Sequence, residues 1–253
     1  MTRQRLKDLA ALGRRRARQA QGAFLVEGVR SVEAAVAAGA PLSHLLVADG
    51  AEDDPRVAAL VARAPVEVDR VAGRDLGRVA DAKTSQGVIA VSRSVVGDRV
   101  GGEGPALVLD GVQDPGNVGA LVRTAAWFGV RTVVADQNTA DFESPKAVRA
   151  SMGGVWDVAL VRVPELAPVL DAWAGAGVPV YGADLGGTPV GAWAPAANAA
   201  LVMGSEAHGL SAGVAERVRR HGALVYIGGG GAGVESLNVA VAGGVLMARW
   251  LGG

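Results

Sequence analysis

The chain reads as an α/β protein, with a mostly parallel sheet in its C-terminal part and a smaller α/β unit before it. Three observations predict this. Short apolar runs recur at 106–109, 132–135, 158–161, 178–181, 200–203 and 224–227, with helical stretches between them. The runs are continuous rather than alternating, as strands covered on both faces require. A glycine-rich, charged and aperiodic stretch, 94–105, separates this series from an earlier one.

Taken in order, residues 3–20 read as a polar helix. Phe24-Leu25-Val26 is a short strand, and 29–38 is a helix stopped by Gly39. Strands follow at 44–48, 66–68 and 87–91, with helices at 56–63 and 71–79. The chain therefore divides into a first unit (1–93), a linker (94–105) and a second unit (106–253). In the second unit the strand at 106–109 turns through Asp110–Gly116 into a helix from 117 to 128, with Gly129 as its stop. Asn117 is expected to cap that helix, and Gly119 to permit close approach in its first turn. The strand at 200–203 turns through Gly204-Ser205-Glu206-Ala207-His208-Gly209-Leu210 to Ser211, the expected cap of a helix over 212–220. The strand at 224–227 runs into a glycine loop, 228–233, and then an Ala-rich helix with Glu235, Ser236 and Asn238 at its start.

Composition bounds the chemistry. Half of the 253 residues are apolar, enough for a sizeable core. Cysteine is absent, which excludes disulfides and thiolate metal sites and fits a reducing cytoplasm. His44, His208 and His221 lie far apart, so no metal site is expected. No apolar run approaches a membrane span, and the N-terminus is charged from Arg3 onward. Net charge is zero, yet residues 1–30 carry eight Lys/Arg against Asp8 and Glu27, a net of +6. A basic arm on a neutral body suits a polyanion, nucleic acid first, and equally suits a solvated helix face.

Gly228-x-Gly230-x-x-Gly233 matches the dinucleotide fingerprint. That fingerprint needs a second parallel strand and an acidic residue about 20 positions on. Neither follows here, so a nicotinamide-binding reading is rejected. The ligand expected at this loop is held some other way. Polar groups at a helix start and glycine-lined backbone suit a polar or anionic ligand. The loops at 204–210 and 228–233 both follow strands, so both open at the strand ends where α/β sheets bind ligands. Arg123 sits six positions after Asn117 among apolar neighbours. It is either a snorkelling surface side chain or a buried donor fork for phosphate.

Asn117-x-Gly119-x-x-x-Arg123, Gly204-x-Glu206-x-x-Gly209-Leu210-Ser211 and Glu235-Ser236-Leu237-Asn238-Val239 occur in this order. Together they resemble the three signature motifs of the SpoU (TrmH-type) branch of the SPOUT RNA methyltransferases. The segment 144–153 resembles that family's middle segment, and Phe24–Gly28 its ribosomal-protein-like RNA-binding domain. The resemblance implies a deep C-terminal trefoil knot, one of the few exceptions to unthreaded chains. It implies a homodimer, an S-adenosyl-L-methionine cofactor, and methyl transfer to a ribose 2′-hydroxyl of RNA, rRNA rather than tRNA. Carried over by position, Gly204, Ile227, Gly228 and Leu237 line the cofactor pocket. Asn117, Arg123, Glu206, Ser236 and Asn238 form the polar catalytic cluster. Arg123 is implied to activate the hydroxyl. A guanidinium is hard to deprotonate, so clamping a phosphate and stabilising the developing alkoxide stands beside that role. The family's proline before the last glycines is missing from Ile227-Gly228-Gly229, so ordering the loop costs more entropy. Weaker cofactor binding follows, and with it the alternative of a knotted RNA-binding or assembly protein with little or no activity.

Overall fold

The structure, a computed structural model, describes every residue except 83, 102–103, 230–235 and 253. The first unit is a four-stranded sheet of order β1-β4-β2-β3, built from β1 (Ala23–Glu27), β2 (Leu42–Ala48), β3 (Val68–Val71) and β4 (Val88–Arg93). β1/β4 and β4/β2 pair antiparallel, and β2/β3 pair parallel. Helices α3 (Val29–Ala37) and α4 (Pro55–Ala62) pack on one face. Helices α1 (Arg3–Ala11) and α5 (Gly73–Val79) pack on the other.

The helix expected over 3–20 is two helices, α1 and α2 (Arg15–Gln21). The buried guanidinium of Arg18 explains the break: its Nη1 donates to the carbonyls of Leu12 and Gly13 at 2.8 and 3.0 Å. Those carbonyls are thus satisfied outside a continuous helix. The third strand lies at Val68–Val71, beyond the expected 66–68.

The second unit holds seven strands in the order β11-β9-β10-β6-β7-β8-β5, and all neighbouring pairs are parallel. In chain order it comprises β5 (Val96–Gly97), β6 (Ala106–Asp110), α6 (Pro115–Trp127), β7 (Thr132–Ala135), α7 (Pro145–Ser151), β8 (Ala159–Arg162) and α8 (Ala167–Gly175). Then come β9 (Val180–Pro189), β10 (Ala200–Gly204), α9 (Ala212–His221), β11 (Gly222–Tyr226) and α10 (Val239–Leu251). One apolar layer joins the sheet to α6 and α10, and the other joins it to α8 and α9. Covering on both faces is why the strands read as unbroken apolar runs. β5 lies inside the stretch read as a linker. It is fixed there by Glu143, which accepts from the Ser94 hydroxyl at 2.7 Å and the Val95 N–H at 2.9 Å.

Two features position the site. β6 and β10 are central neighbours, with Asp110 opposite Gly204 in register, so the loops leaving both strands emerge side by side. Helix α6 starts earlier than expected: Asp114, not Asn117, is its cap, and its Oδ1 accepts the Asn117 N–H at 3.0 Å. Pro115 at the first helical position suits that arrangement. Asn117 therefore lies inside the first turn with its side chain free for other partners.

Gly119 serves packing rather than the open side of the helix. A Cβ there would stand 2.3 Å from the Ala147 carbonyl oxygen, so α6 and α7 approach through it. Ion pairs tie the two units together. Arg18 meets Asp141 at 2.6 Å, and Arg149 bridges the buried Glu27 at 3.0 Å and Asp81 at 2.7 Å.

Candidate active site

Three helix and turn starts converge beyond the carboxyl ends of β6, β10 and β11. Asn238 caps α10, its Oδ1 accepting the N–H groups of Ala240 at 2.9 Å and Val241 at 3.3 Å. Its Nδ2 donates to Asn117 Oδ1 at 3.1 Å. Asn117 Nδ2 donates in turn to Glu206 Oε1 at 2.8 Å. The Gln113 N–H reaches Glu206 Oε2 at 3.4 Å.

This chain of bonds has one consistent direction. The α10 backbone can only donate, so Asn238 must face it with its oxygen. Asn238 then offers its amide nitrogen to Asn117, and Asn117 offers its own nitrogen to the carboxylate. The helix start thus orders both amides and ends on Glu206 as final acceptor. Among the described residues each amide keeps one N–H for a ligand. Glu206 is exposed and, among the described residues, pairs with no cation.

The turn carrying Glu206 is held from both sides. Ser205 and Gly209 exchange two backbone hydrogen bonds at 2.9 Å. Gly204 meets Gly209 so closely that a Cβ would lie 2.3 Å from its carbonyl carbon, which requires glycine. The buried Asp110 accepts the Ser211 N–H at 2.6 Å. Burial pushes the Asp110 carboxyl above its ordinary value, and the Ser211 bonds oppose that rise. The Ser211 side chain makes no capping bond, so α9 is anchored through this backbone contact.

Asn117, Glu206 and Asn238 are therefore in one network. Ser236 and Leu237 are exposed and lie directly ahead of Asn238. Ile227 packs partly into the core, and Gly228 and Gly229 are exposed beyond β11. The rest of the glycine loop and Glu235 lie outside the described residues. Arg123 is exposed on α6 and makes no hydrogen bond to these groups among the described residues. At about 100° per residue, six positions place it roughly 120° around the helix from Asn117.

Two site residues escaped the sequence reading. Asp114 caps α6 and pairs with Lys146 at 2.6 Å, and the Lys146 ammonium holds the Asp114 carboxyl below its ordinary value. The Asp-Pro step before an apolar helix was the available signal for Asp114. Asp110 carried no signal beyond being the last residue of a strand.

The apolar backing of Met203 and Ile227, the glycine-lined strand ends and an uncompensated carboxylate suit a ligand with a flat apolar part and a positive centre.

Comparison with known proteins agrees with this geometry. Residues 104–248 match the model of the SpoU rRNA Methylase family, and residues 3–90 match that of the MRM3-like substrate binding domain. The 23S rRNA (guanosine(2553)-2′-O)-methyltransferase RlmP of Bacillus subtilis is 29% identical over 96% of this chain and 94% of its own. A putative RNA methyltransferase of the TrmH family from Porphyromonas gingivalis superposes with a TM-score of 0.86. It is 34% identical and covers 99% of this chain and 98% of that one. The SpoU methyltransferase AviRb from Streptomyces viridochromogenes, in complex with AdoMet, also gives 0.86, at 28% identity over 99% and 97%.

Proposed function

This chain belongs to the SpoU rRNA methylase family, and from that premise we propose how its cleft works and on what. The enzyme transfers a methyl group from S-adenosylmethionine to a ribose 2′-hydroxyl of RNA. The observation that carries the site assignment is the Asn238–Asn117–Glu206 network beyond the carboxyl ends of β6, β10 and β11. We assign rRNA as the substrate, in keeping with the name of the RlmP relative, and the cytoplasm as the place of action.

The donor supplies a methyl group on a positively charged sulfur, and the residues present fit it. Glu206 offers negative charge without a competing cation, and the exposed Gly228 and Gly229 leave backbone accessible beside Ile227. Gly204, Ile227, Gly228 and Leu237 would hold the cofactor. Asn117, Asn238 and Ser236 would orient the ribose, each amide using its remaining N–H. Glu206 would draw the hydroxyl proton toward itself and hold the attacking oxygen in place. Ordered groups of this kind contribute by alignment and by meeting charge as it develops. Arg123, exposed on the same helix as Asn117, would act on phosphate or on the developing alkoxide.

The family frame extends to three finer points. The first unit (1–93) would bind substrate, with 94–105 joining it to the catalytic unit (106–253). The C-terminal segment would thread a trefoil knot, supported by α10 packing against α6 and β10. The protein would be a homodimer. Trp127 is 83% exposed at the end of α6, and Val241 and Val245 are exposed on α10. A Cβ on Gly244 would lie 4.0 Å from the Thr124 methyl, so the two helix faces adjoin. An apolar patch of this kind marks an interface.

A tritiated-methyl transfer assay on unmodified rRNA tests the whole reading. Wild type is expected to label the RNA, with the label at 2′-O-methyl nucleotides. Asn117→Ala is expected to lose about a hundredfold, and Arg123→Ala to lose label as well. Full activity in Asn117→Ala would remove the network from the mechanism.

A further inference from the structure

We propose that the groove between α1 and α5 is a second RNA-binding site, gripping phosphodiester backbone on the sheet face opposite the one that packs α3 and α4. The inference rests on the RNA-modifying reading above and extends it to the size of the substrate.

The groove is about 610 Å³ and is lined by Arg3, Leu6, Lys7, Ala10, Arg74, Asp75 and Arg78. Its four cations are all exposed. Arg78 pairs with Asp75 at 2.8 Å, whereas Arg3, Lys7 and Arg74 make no ion pair among the described residues. The cations form a two-by-two array. Arg3 and Lys7 are four apart on α1, and Arg74 and Arg78 are four apart on α5.

Like charges at that spacing repel and destabilise a helix. Both helices carry such a pair, and both turn it to the same groove. Among the described residues Asp75 offsets only Arg78, and the charge of Arg3, Lys7 and Arg74 is left without an anionic partner. A polyanion with regularly spaced charges supplies one, and release of its counterions adds to affinity. The half-buried Leu6 and Ala10 on the groove floor leave the charges on the rim, where backbone rather than bases is read.

Placement gives the consequence. α1 and α5 cover the sheet face built on Leu9, Leu12, Leu76 and Val79. The opposite face packs α3 and α4 and also touches Val148 and Trp156 of the catalytic unit. The groove and the Glu206 cleft share no lining residue, and the groove lies on the sheet face opposite the one that meets Val148 and Trp156. A long, structured RNA can engage both, whereas a short single strand engages one. The enzyme would accordingly favour an extended RNA over an isolated target loop.

The experiment compares wild type with a variant carrying Arg3→Gln, Lys7→Gln, Arg74→Gln and Arg78→Gln together. Fluorescence anisotropy measures binding of an unmodified rRNA transcript and of a single-stranded oligonucleotide about a dozen residues long. The variant is expected to bind the transcript at least tenfold more weakly, with the slope of log K against log salt shallower by roughly three. The oligonucleotide is expected to lose less than twofold. A companion with lysine at all four positions is expected to keep transcript affinity, which separates charge from misfolding. S-adenosylhomocysteine affinity serves as a second check that the catalytic unit is intact. Unchanged transcript affinity and slope in the glutamine variant would overturn the proposal, as would an equal loss for both RNAs. So would groove-dependent capture of an acidic polypeptide with RNA binding untouched. A wild type that transfers no methyl group yet shows the groove-dependent slope would sink the catalytic reading and leave the groove standing.

Discussion

Asp110 and Ser211 lie 101 residues apart in sequence, yet the Asp110 Oδ2 accepts the Ser211 N–H at 2.6 Å. That bond ties the end of β6 to the exit of the turn that presents Glu206. It makes Asp110 a positioning residue for the network rather than a member of it. Asp110→Ala would leave the Ser211 N–H without its partner, a loss of about 1–3 kcal/mol.

The same carboxyl gives a pH dependence with a definite sign. Burial raises its folded value above the ordinary 3.8. The fold therefore holds the proton more tightly than the unfolded chain does. The stabilisation is complete below the unfolded value and is lost as pH rises through the folded one. Asp110→Asn keeps an acceptor for Ser211 and does not titrate. Wild-type stability minus that of Asp110→Asn is expected to fall across this window and then level. Urea midpoints as a function of pH measure it, and a difference that grows with pH would contradict the burial argument.

Gly119 and Gly77 make opposite predictions from the same substitution. A Cβ on Gly119 meets backbone at 2.3 Å and the Ala150 Cβ at 2.7 Å. Neither can move without separating α6 from α7, so Gly119→Ala is expected to cost about 1–3 kcal/mol. Gly77 sits in α5 with nothing within 4 Å of its would-be Cβ. Gly77→Ala is expected to stabilise by about 0.5–1 kcal/mol. Thermal unfolding of the two variants reads both, and a stable Gly119→Ala would mean that α6 and α7 separate at little cost.

The sheet was legible because its strands are buried on both faces and leave continuous apolar runs. The ligand end was legible because glycines and polar helix starts follow those strands in a family order. What the sequence hid is nonlocal. Nothing near Arg18 marks it as the side chain that turns back on Leu12 and Gly13 and splits the first helix. Nothing near Ser94 shows that Glu143, far along the chain, will hold β5 at the sheet edge. Asn117 was placed at the wrong helix position because Asn is as good a cap as Asp, and only the Pro115 beside Asp114 favours the earlier start. Arg123 shares a motif with Asn117, and six positions along α6 set the two about 120° apart on the same helix.

Trp127 supplies a prediction about assembly. An indole exposed to 83% is costly unless another surface covers it. Trp127→Glu places a charge in that patch and is expected to convert the proposed dimer into a monomer in sedimentation analysis. Leu185 is 70% exposed on β9. Leu185→Glu is expected to leave assembly unchanged. A dimer that survives Trp127→Glu would place the interface elsewhere.

The missing proline yields the last prediction. Neither Gly228 nor Gly229 has a positive φ, and neither N–H donates a hydrogen bond among the described residues. A Cβ on Gly229 would meet nothing within 4 Å. Proline at position 229 therefore removes no bond and collides with nothing described. It restricts the unbound loop, which lowers the entropy lost when cofactor orders it. Gly→Pro at a compatible site contributes about 0.4–1 kcal/mol, or roughly a twofold to fivefold gain in affinity. Calorimetry with S-adenosylhomocysteine is expected to show that gain in Gly229→Pro, chiefly in the entropy of binding. Equal or weaker binding would mean that the glycines are needed in the bound state, with backbone geometry that proline denies to the ligand.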